Sequence, residues 1–455
     1  MKRHFLAGQF GLNDNPRAVA GKDEKVTKFN LIGGERSLAY GIQYALDDLR
    51  RLKVFPTEVG ADLLILAMHV HAADTRISRS SESQDGWTRE IRCLVPVSDP
   101  VLWARTSGLL SRILNFLTGD KWTISFRPRP RKFSNIIAAK PNDLIGSPFD
   151  KVSLFSGGMD SLIGAIDELE AGSVPLLVSH AGEGAVSASQ DRCFSELKHH
   201  YRRSSFERLR VWLNFPKSFV KGVASEDSTR GRSFLFFAIG VLVGTGLQQP
   251  FTLKVPENGL IALNVPLDVV RLGALSTRTT HPFYMARWNE LISLLGLQGK
   301  IENPYWNKTK GEMVENCANL ALFQQILPES LSCASPTKGR WQGRSAGHCG
   351  YCLPCIIRRA ATETGLGTGN DPTSYAIQDL SAQPLNTNKA DGRQIRSFQL
   401  AIKRLQENPG IERVLIHKLG PLTDEAKNLA ALAGVYRRGM AEVSSLLSDV
   451  ETRPL

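Results

Sequence analysis

The chain runs to 455 residues, long enough for two or three domains, and its 42% hydrophobic and 22% charged residues exclude wholesale disorder. Lysine and arginine outnumber acids 56 to 44, a net charge of +12 that favours anionic ligands (nucleotides, RNA or an acidic partner) without choosing among them. Met1 to Phe5 starts like a secretory leader, yet no apolar core follows before Asn13 and Asp14. The longest apolar run, Phe234 to Leu247, holds three glycines and falls short of the ~20 residues that cross a bilayer. It is expected to be a buried core helix of a soluble, cytoplasmic protein.

Residues 1–148 read as an N-terminal α+β domain. Asp62 to Val70 suggests a buried strand, Thr88 to Val97 a second, Val101 to Phe116 a helix, and Trp122 to Phe126 a third strand. Arg127-Pro128-Arg129-Pro130-Arg131-Lys132 reads as an extended basic linker, since alternating prolines exclude helix. No catalytic constellation stands out in this unit.

Residues 149–365 alternate strands with helices, the pattern of a parallel α/β sheet. Ser156-Gly157-Gly158-Met159-Asp160-Ser161 lies between an apolar run, Val152 to Phe155, and an amphipathic stretch from Leu162 to Leu169. Strand, glycine turn and helix in that order bind phosphate. Adjacent glycines let backbone amides turn inward, and the helix start adds unpaired donors. No G-x-x-x-x-G-K-[ST] string occurs, so this is not the Walker loop. Val174 to Val178 is the next strand. It ends at Ser179-His180-Ala181-Gly182, where a doubly wound sheet places a nucleotide base. Strands are also expected at Phe206–Leu213 and Phe251–Val255, and Trp288, Leu291, Ile292 and Leu295 form a core-facing stripe. Thr309 and Glu312 have the spacing of a capping box.

Four of the seven cysteines crowd between residues 333 and 355. Cys349, Cys352 and Cys355 follow a C-x-x-C-x-x-C spacing with Cys333 upstream, and His348 adjoins them. Four soft sulfur ligands with no open position point to a structural zinc ion; an iron–sulfur cluster is the chemical competitor. Cys93, Cys193 and Cys317 are scattered fillers. From residue 366 to 455 the sequence turns helical, with stripes at Ile395, Phe398, Ile402 and Leu405, then Leu429, Leu432, Val435 and Tyr436. This C-terminal helical region is expected to pack on the core or on a partner.

The S-G-G-x-D-S string resembles the PP-loop of the ATP pyrophosphatases. Combined with the cysteine tail, with Gly231-Arg232-Ser233 opening an apolar helix, and with Lys310 and Glu312 in the segment Asn303 to Glu312, it resembles the 7-cyano-7-deazaguanine synthase (QueC) family. The likeness covers residues 150 to 365. The extra length, with Pro256-Glu257-Asn258-Gly259-Leu260 and Ser276 to Pro282, is similar to the QueC-like proteins (QatC) of the Qat antiphage defence system.

The resemblance implies a PP-loop (adenine nucleotide alpha hydrolase-like) parallel sheet core and an ATP-dependent ligase. A carboxylate attacks the α-phosphate of ATP, releases pyrophosphate, and passes as an acyl-adenylate to an amine. The amides of Gly157, Gly158 and Met159, with Ser156 and Ser161, would take the pyrophosphate. Asp160 would hold Mg2+ or the loop, and Arg232 and Lys310 would neutralise the transferring phosphate. His180 and Ala181 would meet the base. Glu257 and Asn258 would read a deazapurine edge, and Arg278 would pair with its carboxylate. His281, before Pro282, reads as a loop residue. The acceptor is a partner protein's amine or, in the alternative, ammonia on the way to a nitrile. Transfer RNA thiolation and a non-catalytic nucleotide-binding scaffold are further alternatives.

Overall fold

The structure is a computed structural model that describes all residues except 1–2, 17–18, 35–36, 143–145, 183, 268–277, 338, 340–342, 344 and 455. Part of the expected Ser276–Pro282 segment therefore lies outside the described residues.

The first sheet joins β1 (Arg3–Gln9), β2 (Glu24–Asn30), β3 (Glu90–Val97) and β4 (Lys121–Pro128) in the order β2-β1-β3-β4, every pair parallel. Parallel neighbours need long crossovers, which here include helices Glu58–Arg76 and Ser107–Thr118. This unit is thus α/β, where an α+β arrangement was expected.

The strand expected at Asp62–Val70 is the middle of the helix Glu58–Arg76. A continuous apolar run fits a buried strand or a buried helix equally well by pattern. Length and capping decide it: the Thr57 side chain accepts from the Gly60 amide, and the run extends to 19 residues. Residues 60–75 are buried all round, because the helix lies among the first sheet and helix Arg232–Thr245 in one core. The Thr57 amide donates to Thr245 Oγ1 across that contact at 3.2 Å.

The basic stretch after Phe126 is not a free linker. Arg127 and Pro128 finish β4, and Arg129, almost wholly buried, pairs with Glu58 and Asp62. Asp62 is buried on the apolar helix and also accepts from Ser98 and from Trp103 Nε1 at 3.1 Å. A carboxylate so deeply buried requires a counter-charge, and that requirement draws the arginine inward.

The second sheet contains β5 (Lys151–Leu154), β6 (Pro175–Ala181), β7 (Glu207–Trp212), β8 (Phe251–Lys254) and β9 (Gly299–Glu302). Their order is β7-β6-β5-β8-β9, all parallel. The chain winds from β5 to β7 on one side, then crosses to β8 and β9 on the other. The crevice for a ligand in such a sheet lies beyond the carboxyl ends of the strands at the reversal, here β5 and β8.

One hydrophobic core, from Leu6 to Ile301, crosses residue 148 and joins both sheets through Phe237, Leu242 and their neighbours. A second lies under helix Met159–Glu170, with Cys193, Met313 and Phe323. The third gathers helices Ala390–Glu407 and Leu429–Leu446 onto Leu260, Leu263 and Ile356, so the tail packs on the rest of the chain. Among the described residues no helix is long and apolar enough to cross a membrane.

Candidate functional site

The glycine loop leaves β5 at Leu154 and enters helix Met159–Glu170, as its sequence requires. Gly157 adopts φ +76°, and a Cβ there would stand 2.9 Å from the Gln190 amide nitrogen, so only glycine fits this corner. Ser161 turns back on the loop: its Oγ donates to the Gly158 carbonyl at 3.0 Å and accepts from the Ser156 amide at 3.2 Å. The Gly158 amide makes a long bond to Ser156 Oγ (3.3 Å), and the Met159 amide a longer one to Ser332 Oγ (3.5 Å). The segment 329–332 rests on the loop, with the Leu331 amide 2.9 Å from the Gly157 carbonyl.

Across the crevice, the turn after β8 supplies Glu257 and Asn258. Asp160 Oδ2 accepts from the Asn258 amide (3.1 Å) and side chain (2.7 Å), while Lys310 Nζ lies 2.9 Å from Oδ1. Asn258 also caps helix Gly259–Leu263, which fixes its side chain twice over. Thr280 donates to Glu257 Oε2 at 2.9 Å, and Asn303 Nδ2 donates to the Glu257 carbonyl at 2.8 Å. Burial, then the neighbouring Asp160, pushes the Glu257 carboxyl up to about 7 against the opposing pull of Thr280 and Lys310.

These groups surround a cavity of about 400 Å³, lined by Ser156, Gly158, Asp160, Glu257, Lys310 and Ser332 among others. Cys352, Leu353 and Pro354 of the cysteine knuckle and Gln394 of the C-terminal region close its remaining side. The crevice therefore combines backbone amides of a glycine turn, one ammonium and two carboxylates, so that hydrogen-bond donors and acceptors line one cavity.

Of the other expected residues, Ala181 and His180 end β6 beside the loop: Gln190 Nε2 reaches both the Ser156 carbonyl (3.4 Å) and the His180 carbonyl (3.3 Å). The His180 ring packs edge-on against His71, whose side chain comes from the N-terminal unit. Burial, then His71 and Arg232, pushes His180 down to about 3, so both rings are neutral at physiological pH, His71 being lowered to about 4. Arg232 starts its helix over Phe236, 5.1 Å from the ring. Arg278 is not brought to the cavity. It donates to the Phe116 carbonyl and stacks 4.8 Å from that ring. His281 caps helix Pro282–Leu294, its Nδ1 accepting from the Phe283 amide at 3.2 Å.

The four sulfurs of Cys333, Cys349, Cys352 and Cys355 lie within 4.8 Å of one another and can bind a metal such as zinc. Two of the pairs measure 3.9 and 3.8 Å, close to the ~3.8 Å edge of a tetrahedron with ~2.3 Å metal–sulfur bonds. His348 is not in the cluster; its Nε2 accepts from the Ser332 amide at 3.1 Å and so ties the knuckle to the loop. Arg358, on helix Leu353–Leu366 after the knuckle, is wholly buried and donates to the Leu327 carbonyl and Ser330 Oγ. Burial pushes the thiols of Cys193 and Cys317 up to about 12, which leaves both unreactive.

Ser332, Gln190 and His71 escaped the sequence reading. None lies in a recognisable string: Ser332 lines the cavity, Gln190 bonds the loop and His71 packs on His180, each from a distant element. Comparison of the sequence with protein-family models finds no match, and comparison with curated proteins finds none.

Proposed function

We propose that the chain is a cytoplasmic QueC-like PP-loop enzyme that adenylates a 7-deazaguanine-type carboxylate and couples it to an amine of a partner protein in antiphage defence. The observation that carries this reading is the meeting of the glycine loop, the Asp160–Lys310 pair and Glu257 around one cavity at the reversal of the sheet.

In this scheme a carboxylate oxygen of the substrate bonds to the α-phosphorus of ATP while the bond to pyrophosphate breaks. The loop amides now held by long bonds to Ser156 and Ser332 exchange those partners for phosphate oxygens. Lys310, close to Asp160, neutralises charge on the leaving group. Asp160, which accepts from Asn258 and pairs with Lys310, would hold Mg2+ or fix the loop and the lysine. Glu257 accepts from the N–H edge of the deazapurine. The amine nitrogen then attacks the acyl carbon, AMP leaves, and the amine sheds a proton. Zinc in the Cys₄ knuckle holds one wall of the cavity and takes no part in the reaction.

The test is release of AMP and pyrophosphate from ATP with candidate deazapurine carboxylates, with and without neighbouring gene products, followed by intact-mass measurement of those proteins. A mass gain on a partner, abolished by Asp160→Ala, is expected. Nitrile formed from ammonia without a partner would select the synthase alternative, and loss of only the terminal phosphate would remove the ligase reading.

A further inference from the structure

The residues that face the crevice from Pro256 to Leu263 and from Asn303 to Glu312 share a support outside the QueC-like region. Helix Leu429–Leu446 packs on both: its Val435, Tyr436 and Met440 share a core with Leu260 and Leu263, and Trp306 packs against that core. Its polar contacts converge on the start of helix Lys310–Glu315. Arg438 holds the Glu312 carboxylate, with Nη2 3.1 Å from Oε2, and donates to the Asn307 carbonyl at 2.9 Å. Four residues on, and so on the same helix face, Glu442 accepts from the Thr309 hydroxyl and from the Gly311 amide at 3.2 Å.

This clamp is built into the local sequence. Thr309 and Glu312 form the reciprocal capping box, with the Thr309 amide 2.8 Å from Glu312 Oε2 and the Glu312 amide 3.0 Å from Thr309 Oγ1. A Cβ at position 311 would lie 2.6 Å from Glu442 Oε1 and 2.8 Å from the Thr364 side chain, so glycine there is what lets the carboxylate reach the backbone. Between the two clamped residues stands Lys310, buried, with its ammonium 2.9 Å from Asp160.

We propose that Glu442 is a positioning residue for Lys310: by gripping Thr309 and Gly311 it fixes the backbone from which the lysine reaches the cavity, so the C-terminal unit is part of the anion site. This rests on the nucleotide reading above. A glutamine in its place keeps one acceptor oxygen and turns a donor toward the other partner, so either the Gly311 amide or the Thr309 hydroxyl loses its acceptor. The lysine must then be ordered when the ligand binds, and affinity falls.

The test is a double-mutant cycle on the full chain, with calorimetric binding of inorganic pyrophosphate and of MgATP. Lys310→Ala is expected to weaken pyrophosphate binding ~10–100-fold and Glu442→Gln ~3–10-fold. The double variant should bind no worse than Lys310→Ala, because a residue acting through the lysine has nothing left to position. Unchanged affinity in Glu442→Gln, or losses that multiply in the double variant, would overturn the assignment. If Glu442→Gln fails to fold on thermal melting, Glu442→Asp, which keeps the charge but shortens its reach to Thr309 and Gly311, takes its place in the cycle with the same outcomes. A wild-type chain that binds neither probe overturns the nucleotide reading itself, whereas wild-type binding with multiplying losses overturns only the role of Glu442.

Discussion

Arg89 and Lys310 are both buried cations that pair with buried carboxylates, but their surroundings differ in charge balance and in what they face. Arg89 and Arg79 meet Asp74 and Asp120, two charges against two, with Arg89 Nη2 2.7 Å from Asp120 and 3.0 Å from Asp74, and the Gly231 amide donates to Asp74 Oδ2 at 2.7 Å. Burial pushes Asp120 up, yet the two arginines outweigh it and hold that carboxyl below its usual range; Asp74, on the buried helix, is lifted by burial. Among the described residues Lys310 is the cation that faces Asp160 and Glu257, and Glu257 rises to about 7. The first cluster is closed on protein partners. The second has one carboxylate more than its cation can balance and opens on a cavity, an arrangement that leaves hydrogen-bonding capacity for a ligand.

The two clusters can be separated by experiment. Chelation of a metal held by the four cysteines, or Cys352→Ser, should have the largest effect, since a structural zinc there would contribute ~10 kcal/mol or more to the fold it staples. Hydrogen exchange should rise across residues 327–366 and the cavity wall while the Arg89 cluster stays protected, and metal analysis should find one zinc per chain. Arg89→Met comes next. It leaves Arg79 alone against two buried carboxylates and should cost about 3–5 kcal/mol in denaturant unfolding, with nucleotide affinity unchanged in the fraction that remains folded.

Lys310→Met should reverse that pattern: a small loss of stability, because Asp160 keeps both Asn258 donors, but ~10-fold or weaker MgATP binding by calorimetry. Glu257→Gln has the smallest expected effect on the fold, and its size depends on pH. A carboxyl whose folded value is raised from 4.5 to about 7 binds its proton more tightly folded than unfolded. Stability from this group is therefore full below about 4.5, falls as pH rises to about 7, and stays low above it. Melting of Glu257→Gln should match the wild type near pH 4 and exceed it by ~2 °C at pH 8. An equal shift at both pH values would mean that Glu257 is not the group that titrates.

Much of the site was legible because its signals are local. The glycine corner at 157, the cap formed by Thr309 and Glu312, and the cysteine spacing each need only a few consecutive residues to define their geometry. The strands on either side of the loop were legible for the same reason. What failed were assignments that depend on distant partners: Asp62–Val70 became a helix because two layers bury it from opposite sides, Arg129 left the expected linker to meet Asp62, and Arg278 turned to Phe116.

By itself, then, the amino-acid order determined a phosphate-type turn, a four-thiolate cluster and the alternation of strands and helices, since backbone conformation and ligand spacing follow from near neighbours. Tertiary structure decided which side chains share the crevice. It joined the N-terminal unit to the second sheet through one core, set Asn258 and Lys310 on the two oxygens of Asp160, and brought Glu442 to the backbone on either side of that lysine. Such contacts span about a hundred residues or more, and burial rather than sequence proximity selects them, because a charge removed from water is stable only where the fold supplies its partner.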